Sequence, residues 1–294
     1  MYPALTALLI AAGPTGDWYG TLHMPSAKLR LALHVTESEG AVKASLDSLD
    51  QGAVGIPASS AKIDGSKIML EFASVRSKLE GESNPDGTEL NAIWTQGPQS
   101  TPIKLTREKI VIKEGTAVPL SPAERDFLIS HLEKSRKEFL DSIKGVTKEQ
   151  WSFKSAPDRW SIGDCAEHLV TTEGALFGLV TRQMLRAPIL EDAKRKTQTD
   201  DEKVIARTTD RSQKGKAPEM LVPTGKFAGP EDIEKAFNPR RDASIEFVKT
   251  TKEDLRGRSS GPMDAYQYLV MMSAHTRRHT AQLNEVKADP TFPK

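Results

Sequence analysis

Residues 274–283 read Ala-His-Thr-Arg-Arg-His-Thr-Ala-Gln-Leu and place His275 and His279 four positions apart. Four residues of an α-helix rise ~6 Å and turn slightly more than a full circle, so both imidazoles would project from one face. At this spacing two rings can reach one metal ion at ~2.0–2.1 Å. The stretch therefore predicts a helix with two metal ligands. The alternative is a solvated histidine pair, with Arg277 and Arg278 pointing to solvent.

A third histidine lies in a second helical stretch. Residues 160–169 read Trp-Ser-Ile-Gly-Asp-Cys-Ala-Glu-His-Leu, and the pattern predicts a helix from Ser161 to about Arg186 that carries His168. Three imidazoles from two facing helices leave a coordination position open for water or substrate, which is typical of a catalytic site and not of a closed structural one. Bound imidazole must be neutral, so we expect metal affinity to fall on acidification.

Apolar residues at helical spacing run through the second half of the chain and predict four amphipathic helices packed as a bundle. The connection at residues 188–229 is too long and polar for a tight hairpin, so it would be a flap over a pocket or disordered. The predicted helix starts are Ser121-Pro122-Ala123-Glu124, Ser161, Pro230-Glu231-Asp232 with a bend or restart at Asn238-Pro239, and Pro262-Met263-Asp264.

The first half has a period of two. Leu29, Leu31, Leu33 and Val35 alternate with other residues, mostly polar, which puts one face of a strand inward. Further runs of this kind predict an antiparallel meander of about six to eight strands, a small barrel or half-barrel. The predicted fold class is therefore α+β multidomain. Its parts are an antiparallel, barrel-like β domain at 14–107, a linker at 108–120 in which 110–112 could form a last strand, and a helical bundle at 121–290.

The composition of the chain argues against several kinds of partner and site. The chain has 294 residues and a formal net charge of +1, and neither half has the basic field that phosphate binding needs, so we expect no nucleic-acid partner. No stretch reaches the ~20 apolar residues of a membrane span. The single cysteine, Cys165, excludes an intrachain disulfide and a Cys-rich zinc motif. Histidine and carboxylate must therefore supply most ligands of any metal.

The N-terminal segment differs from the rest. Residues 4–13 read like the apolar core and small-residue end of a secretory signal, although the basic stretch that should precede it is missing. We therefore expect residues 1–13 to be a signal segment and the protein to be periplasmic or secreted. If the segment is only an apolar strand or helix, the protein is cytoplasmic.

The residues from about 121 to 287 resemble the DinB-like superfamily of metal-binding four-helix bundles. The shared features are a Trp-Ser at 160–161, a histidine before a leucine at His168, and a late His-x-x-x-His followed by a glutamine at Gln282. The resemblance implies a divalent ion, zinc or nickel, held by His168, His275 and His279. Members include thiol-dependent transferases and isomerases as well as proposed hydrolases, so the family alone does not settle the reaction.

The first half is similar to a β-rich accessory domain that precedes secreted bacterial α/β-hydrolases and penicillin-binding-like serine hydrolases. The similar stretches are residues 16–22, 47–53 and 84–97. No serine hydrolase follows here, so the resemblance supports export and implies no chemistry of its own.

Other polar residues of the predicted helices could serve the site. Glu173 is our candidate for a general base or a fourth ligand. Asp164, four residues before His168, would either orient that ring or cap its own helix, and we favour the cap. Gln282 would reach the site or only the neighbouring helix. Cys165 is more simply a buried packing residue than a thiolate ligand.

These patterns predict a metal-dependent enzyme, with a hydrolase as the first hypothesis and an unidentified small molecule as its substrate. Two other hypotheses stay open. One is a non-catalytic protein that binds a metal or a small ligand, and the lack of a clear general base favours it. The other is a thiol-dependent transferase, which export would disfavour because low-molecular-weight thiols are then scarce. The sequence also leaves a homodimer open.

Overall fold

The computed structural model describes residues 13–24, 27–189, 191, 195–212, 215–260 and 262–294. The predicted signal segment therefore lies almost wholly outside the described residues. The chain divides into two compact units. One is Met1–Glu114 with Arg186–Leu190, called here the β domain, and the other is Gly115–Leu185 with Glu191–Lys294, called the helical domain.

The β domain is one antiparallel sheet, as the alternating pattern predicted. In the strand Lys67–Phe72 every second side chain is buried, from Ile68 through Leu70 to Phe72, and the others are exposed. In the part of the chain that the structure describes, the sheet has nine strands, which is more than the pattern indicated. The strands are β1 Gly16–Met24, β2 Ala27–Ser38, β3 Ala41–Ser48, β4 Ala53–Pro57, β5 Ser60–Asp64, β6 Lys67–Phe72, β7 Ser77–Ser83, β8 Glu89–Gln96 and β9 Gln99–Thr106.

The sheet curls into a half-barrel. Its strand order is β4-β3-β2-β1-β9-β8-β7-β6-β5, so β4 and β5 lie at opposite edges. Only Ala58 and Ser59 join them, and two residues span at most ~7 Å. The backbone N–H of Ala58 donates to the β3 side and that of Ser59 to the β6 side. The two edges must therefore meet at this corner.

The inward faces of the strands form the core of the β domain. Trp18, Leu33, Phe72 and Leu79 are fully buried there. Residues 110–112 form no strand, so the sheet ends at Thr106.

The described residues of the helical domain form six α-helices where the pattern predicted four. Four of the helices begin with a capping box, in which a Ser or Thr side chain and the carboxylate or amide three residues later satisfy each other's backbone N–H groups. The helices are α1 Pro122–Ile143, α2 Lys148–Ser152, α3 Ile162–Gly178, α4 Gln198–Thr209, α5 Pro230–Thr250 and α6 Ala265–Lys287.

Two features of the helical domain differ from the predictions. The 188–229 connection was expected to be a flap or disordered, and its described residues include α4 and a short 3₁₀ turn at Glu219–Leu221, which are ordered, so a flap stays a prediction. Helix α5 also continues through Pro239 without restarting. Buried residues on both sides of the proline, Phe237 before it and Ile245 after it, keep both halves of α5 against the core.

Two apolar clusters fill the helical domain. One centres on Leu128, Leu132 and Leu269, and the other on Phe139, Leu169 and Leu283. Among the described residues, no helix has the length and apolar content to cross a membrane.

Candidate metal centre

Three histidines converge where α3 packs against α6. His168 lies on α3, while His275 and His279 lie one turn apart on α6. The Nε2 atom of His275 is 3.4 Å from Nε2 of His168 and 3.1 Å from Nε2 of His279. One nitrogen from each ring lies within 4.8 Å of the other two. His168 and His279 are buried and His275 is half-buried.

The outer ring nitrogens show which tautomer two of these histidines adopt. Nδ1 of His168 is 2.8 Å from the carbonyl oxygen of Leu221, an atom that can only accept, so Nδ1 carries the proton. Nδ1 of His279 likewise donates to Oε1 of Gln282 at 2.9 Å. In neutral rings the Nε2 atoms are then unprotonated, and both lone pairs point toward His275.

The spacing of the three nitrogens fits a metal ion. Three nitrogens around a tetrahedral ion at ~2.0–2.1 Å lie about 3.4 Å from one another. The two Nε2–Nε2 distances, 3.1 and 3.4 Å, are close to that value. Without an ion, the three imidazoles themselves can place only one proton between the two lone pairs, on Nε2 of His275. The donor set therefore fits a divalent cation.

Burial keeps these imidazoles neutral. Burial and the neighbouring His168 lower the pKa of His275 to about 3. Burial, together with His275 and His168, lowers the pKa of His279 to about 2. Burial also lowers the pKa of His168, against the opposing effect of its hydrogen bond to Leu221. All three rings are thus in the metal-binding form at neutral pH.

Trp160 covers two of the three imidazoles. Its ring centroid is 4.9 Å from that of His168 and 5.9 Å from that of His279, and its plane is inclined by 27° to the latter. The indole is half-buried. It limits the directions from which water or a ligand can approach the centre.

The comparisons with known proteins agree with this geometry. The family model of the DinB superfamily matches residues 131–283, which is more than half of the chain. The chain belongs to the DinB superfamily. The matched residues include His168, His275 and His279, so the predicted family is confirmed.

A curated relative is similar to about half of the chain. "Uncharacterized protein YuaE" of Bacillus subtilis (strain 168) is 23% identical over 164 residues, which are 54% of this chain and 96% of the relative. No solved structure matches the chain.

Glu173, the predicted base or fourth ligand, lies elsewhere in the DinB domain. It is fully buried, and its two oxygens accept from Nε and Nη2 of Arg241 at 2.7 and 2.9 Å. Among the described residues, no carboxylate joins the three-histidine group. A role for Glu173 at the metal therefore stays a prediction that no contact supports.

Asp164 and Cys165 have structural roles. Asp164 forms the capping box of α3 with Ser161 and pairs with Lys154 at 2.7 Å, so the favoured helix-cap interpretation is confirmed. Burial raises the pKa of the Cys165 thiol to about 12, which keeps it protonated and a poor ligand.

Gln282 does reach the site. Besides accepting from His279, its Oε1 accepts from Nη1 of Arg211 at 3.1 Å. Arg211 also pairs with Glu285 at 2.6 Å. Gln282 thus fixes the orientation of His279, and Arg211 in turn holds Gln282 in place.

The sequence did not indicate the hydrogen bonds that Glu167 makes. This buried carboxylate lies beside His168 and accepts four hydrogen bonds from Thr224, Gly225 and Lys226. Burial alone would raise its pKa, but the hydrogen bonds from these residues lower it below the ordinary value. The partners lie more than fifty residues away in the sequence, so no local spacing indicates them.

Proposed function

We propose that this DinB-superfamily protein binds one divalent ion, zinc or nickel, at His168, His275 and His279 and acts as a metal-dependent hydrolase. The observation that supports the metal site is the convergence of two unprotonated Nε2 atoms on a third imidazole at 3.1 and 3.4 Å. Membership in a superfamily whose members often bind metals adds to it. The choice of zinc or nickel comes from the resemblance to the DinB-like superfamily, and the all-imidazole donor set is compatible with both ions.

Each group around the centre would have a distinct task. When bound, a divalent ion on three imidazoles supplies a Lewis acid with an open coordination position. Leu221 and Gln282 hold the outer nitrogens of His168 and His279 and thereby fix the rings. Trp160 covers His168 and His279 and would limit the approach of a substrate from its side.

One observation favours a second candidate, a non-catalytic protein that binds a metal or a small ligand. A hydrolytic site usually has a base that takes a proton from the attacking water. The nearby carboxylates are engaged elsewhere, Glu173 with Arg241, Asp164 with the start of α3, and Glu167 with residues 224–226. A thiol-dependent transferase is the third candidate, and export of the chain would count against it.

Elemental mass spectrometry tests the metal site directly. The protein is purified without a His-tag, together with the His275→Ala/His279→Ala double variant and the control His131→Ala, which removes a histidine of α1 that is outside the cluster. We expect about one equivalent of zinc or nickel in the wild type and in the control, and none in the double variant. No metal in the wild type after incubation with both ions would refute the proposal.

Turnover separates the enzyme from the binding protein. Wild type and His279→Ala are compared on generic ester, amide and thiol-conjugate substrates, and circular dichroism checks that the variant is folded. Hydrolysis of an ester or amide that is lost in the folded variant supports the hydrolase. Turnover of the thiol conjugate alone supports the transferase. A loaded wild type without any turnover supports the binding protein.

A further inference from the structure

We propose that Glu167 is a positioning residue for the metal centre. It fixes residues 221–226, named here the strap, so that the Leu221 carbonyl holds His168 in its metal-binding tautomer. This inference rests on the proposed metal site and adds to it a segment of the long connection between α3 and α5.

Glu167 binds the strap through both of its oxygens. Oε1 accepts from the backbone N–H and the hydroxyl of Thr224 at 2.8 and 3.0 Å. Oε2 accepts from the N–H groups of Gly225 and Lys226, each at 2.8 Å. The φ of Gly225 is +80°, a left-handed conformation that lets consecutive N–H groups turn toward one anion. The two carboxylate oxygens of Glu167 thus accept all four of these hydrogen bonds from the strap.

The strap makes a second contact with α3, at the proposed metal ligand His168. Its first residue, Leu221, accepts from Nδ1 of His168 at 2.8 Å. Just beyond its other end, the carbonyl of Phe227 accepts from the indole N–H of Trp151 at 3.1 Å. Glu167 lies between these two anchors and contributes the larger number of hydrogen bonds. The position of the Leu221 carbonyl therefore depends on the Glu167 carboxylate.

The tautomer of His168 is what the strap controls. With Nδ1–H bonded to Leu221, Nε2 keeps its lone pair for the ion. If the carbonyl moves away, the proton can transfer to Nε2 or the ring can rotate, and either change removes a ligand. Outer hydrogen-bond partners of this kind typically change metal affinity by ~10–100-fold.

The substitution Glu167→Gln tests this dependence. Glutamine keeps the shape, but its amide nitrogen cannot accept from the strap. In the metal-free variant we expect faster hydrogen exchange at residues 224–226 and a loss of the Nδ1–H tautomer of His168 in ¹⁵N NMR spectra. The Kd for Zn²⁺ should rise by ~10–100-fold. Faster exchange with an unchanged tautomer and an unchanged Kd would overturn the inference.

A second variant perturbs the strap without touching α3, in case Glu167→Gln does not fold. In Gly225→Ala the added methyl meets no atom within 4 Å, but the residue must adopt φ +80°. We expect the same changes in tautomer and Kd as for Glu167→Gln. The matched control is Gly215→Ala, which also meets no atom and has no positive φ. Equal metal affinity in the two alanine variants would count against the proposed role of the strap in metal binding.

The two proposals fail in different ways. If the wild type binds neither Zn²⁺ nor Ni²⁺, the proposed function fails, and the tautomer of His168 in the metal-free variants still decides the role of Glu167. If the wild type binds Zn²⁺ and both strap variants bind it equally well, only the inference about Glu167 fails.

Discussion

The helical domain holds two buried polar clusters that share helices α3 and α6. In one, Arg241 pairs with Glu173, and all five guanidinium N–H groups have acceptors, with Leu132, Ser135 and Thr276 completing the set. In the other, three imidazoles meet, and two ring lone pairs converge on the third ring, whose Nε2 can offer at most one proton.

This difference separates a structural cluster from a binding site. Buried polar groups in proteins are nearly always hydrogen-bonded, and a cluster that satisfies all of its own donors and acceptors needs nothing more. A buried cluster with surplus acceptors lacks a donor or a cation. The first cluster should therefore matter for folding alone, and the second for binding.

The largest expected effect is in the satisfied cluster. Arg241→Met leaves the Glu173 carboxylate buried without its cation and should lower the free energy of unfolding by ~3–5 kcal/mol. Urea unfolding followed by circular dichroism measures it. The control is Arg136→Met, which breaks the more exposed pair with Asp242 and should cost less than ~1 kcal/mol. Equal losses in both variants would mean that burial does not distinguish the two pairs.

Metal removal should affect stability through the three-histidine cluster and not through the Arg241 cluster. At free Zn²⁺ about 100-fold above its Kd, the ion should stabilise the fold by ~2.7 kcal/mol. Adding a chelator should therefore lower the Tm of the wild type and leave that of His275→Ala/His279→Ala unchanged. A chelator effect of the same size in both proteins would place the stabilising ion elsewhere.

The pH dependence of the metal-free protein should follow the lowered histidine pKa values. The pKa values of His275 and His279 are about 3 and about 2, whereas an unfolded histidine has ~6.5. The unfolded state then binds more protons below about pH 6.5, so stability is complete above this pH and falls as the pH falls.

This dependence can be measured by urea unfolding in chelator. Between about pH 7.5 and about pH 6 the two histidines together should cost ~1–2 kcal/mol. His275→Ala/His279→Ala should lose less stability than the wild type over this range. An equal loss would assign the pH dependence to other groups.

The smallest expected effect concerns a single hydroxyl. Oγ1 of Thr172 is 3.4 Å from Nε2 of His168, so in the metal-free protein it can donate to that lone pair. Thr172→Val should destabilise the metal-free protein by ~0.5–1.5 kcal/mol. It should affect the loaded protein less, since the ion then takes the lone pair. The matched control is Thr171→Val, whose hydroxyl bonds only to the Glu167 carbonyl. A larger loss in the loaded protein would contradict this role.

What the sequence could predict depended on local spacing. The pair His275 and His279 and the alternation of the strands repeat with the period of one element, so they can be read from the sequence alone. Helix α4 was not predicted because its inner face carries only two large apolar residues, Val204 and Ile205, which pack against the core of the helical domain. Its one buried residue is Asp201, which Arg256 binds at 2.6 and 2.8 Å from a distant loop.

The missed contacts all join distant parts of the chain. Glu167 meets the strap and Glu173 meets Arg241 only after α3 has packed against later segments. A carboxylate that pairs with such a partner has the same sequence signature as one that faces water. Spacing could therefore select Glu173 as a candidate base without showing that a guanidinium occupies both of its oxygens.

The position of β1 in the sheet has a consequence for synthesis of the chain. β1 pairs with β2 on one side, a hairpin that can form at once, and with β9 on the other, where Tyr19 is opposite Thr106. Pairings so distant in sequence form slowly. On the ribosome, the second edge of β1 must therefore stay unpaired until Thr106 has left the exit tunnel. For that interval the nascent β domain exposes an edge to which another chain could add.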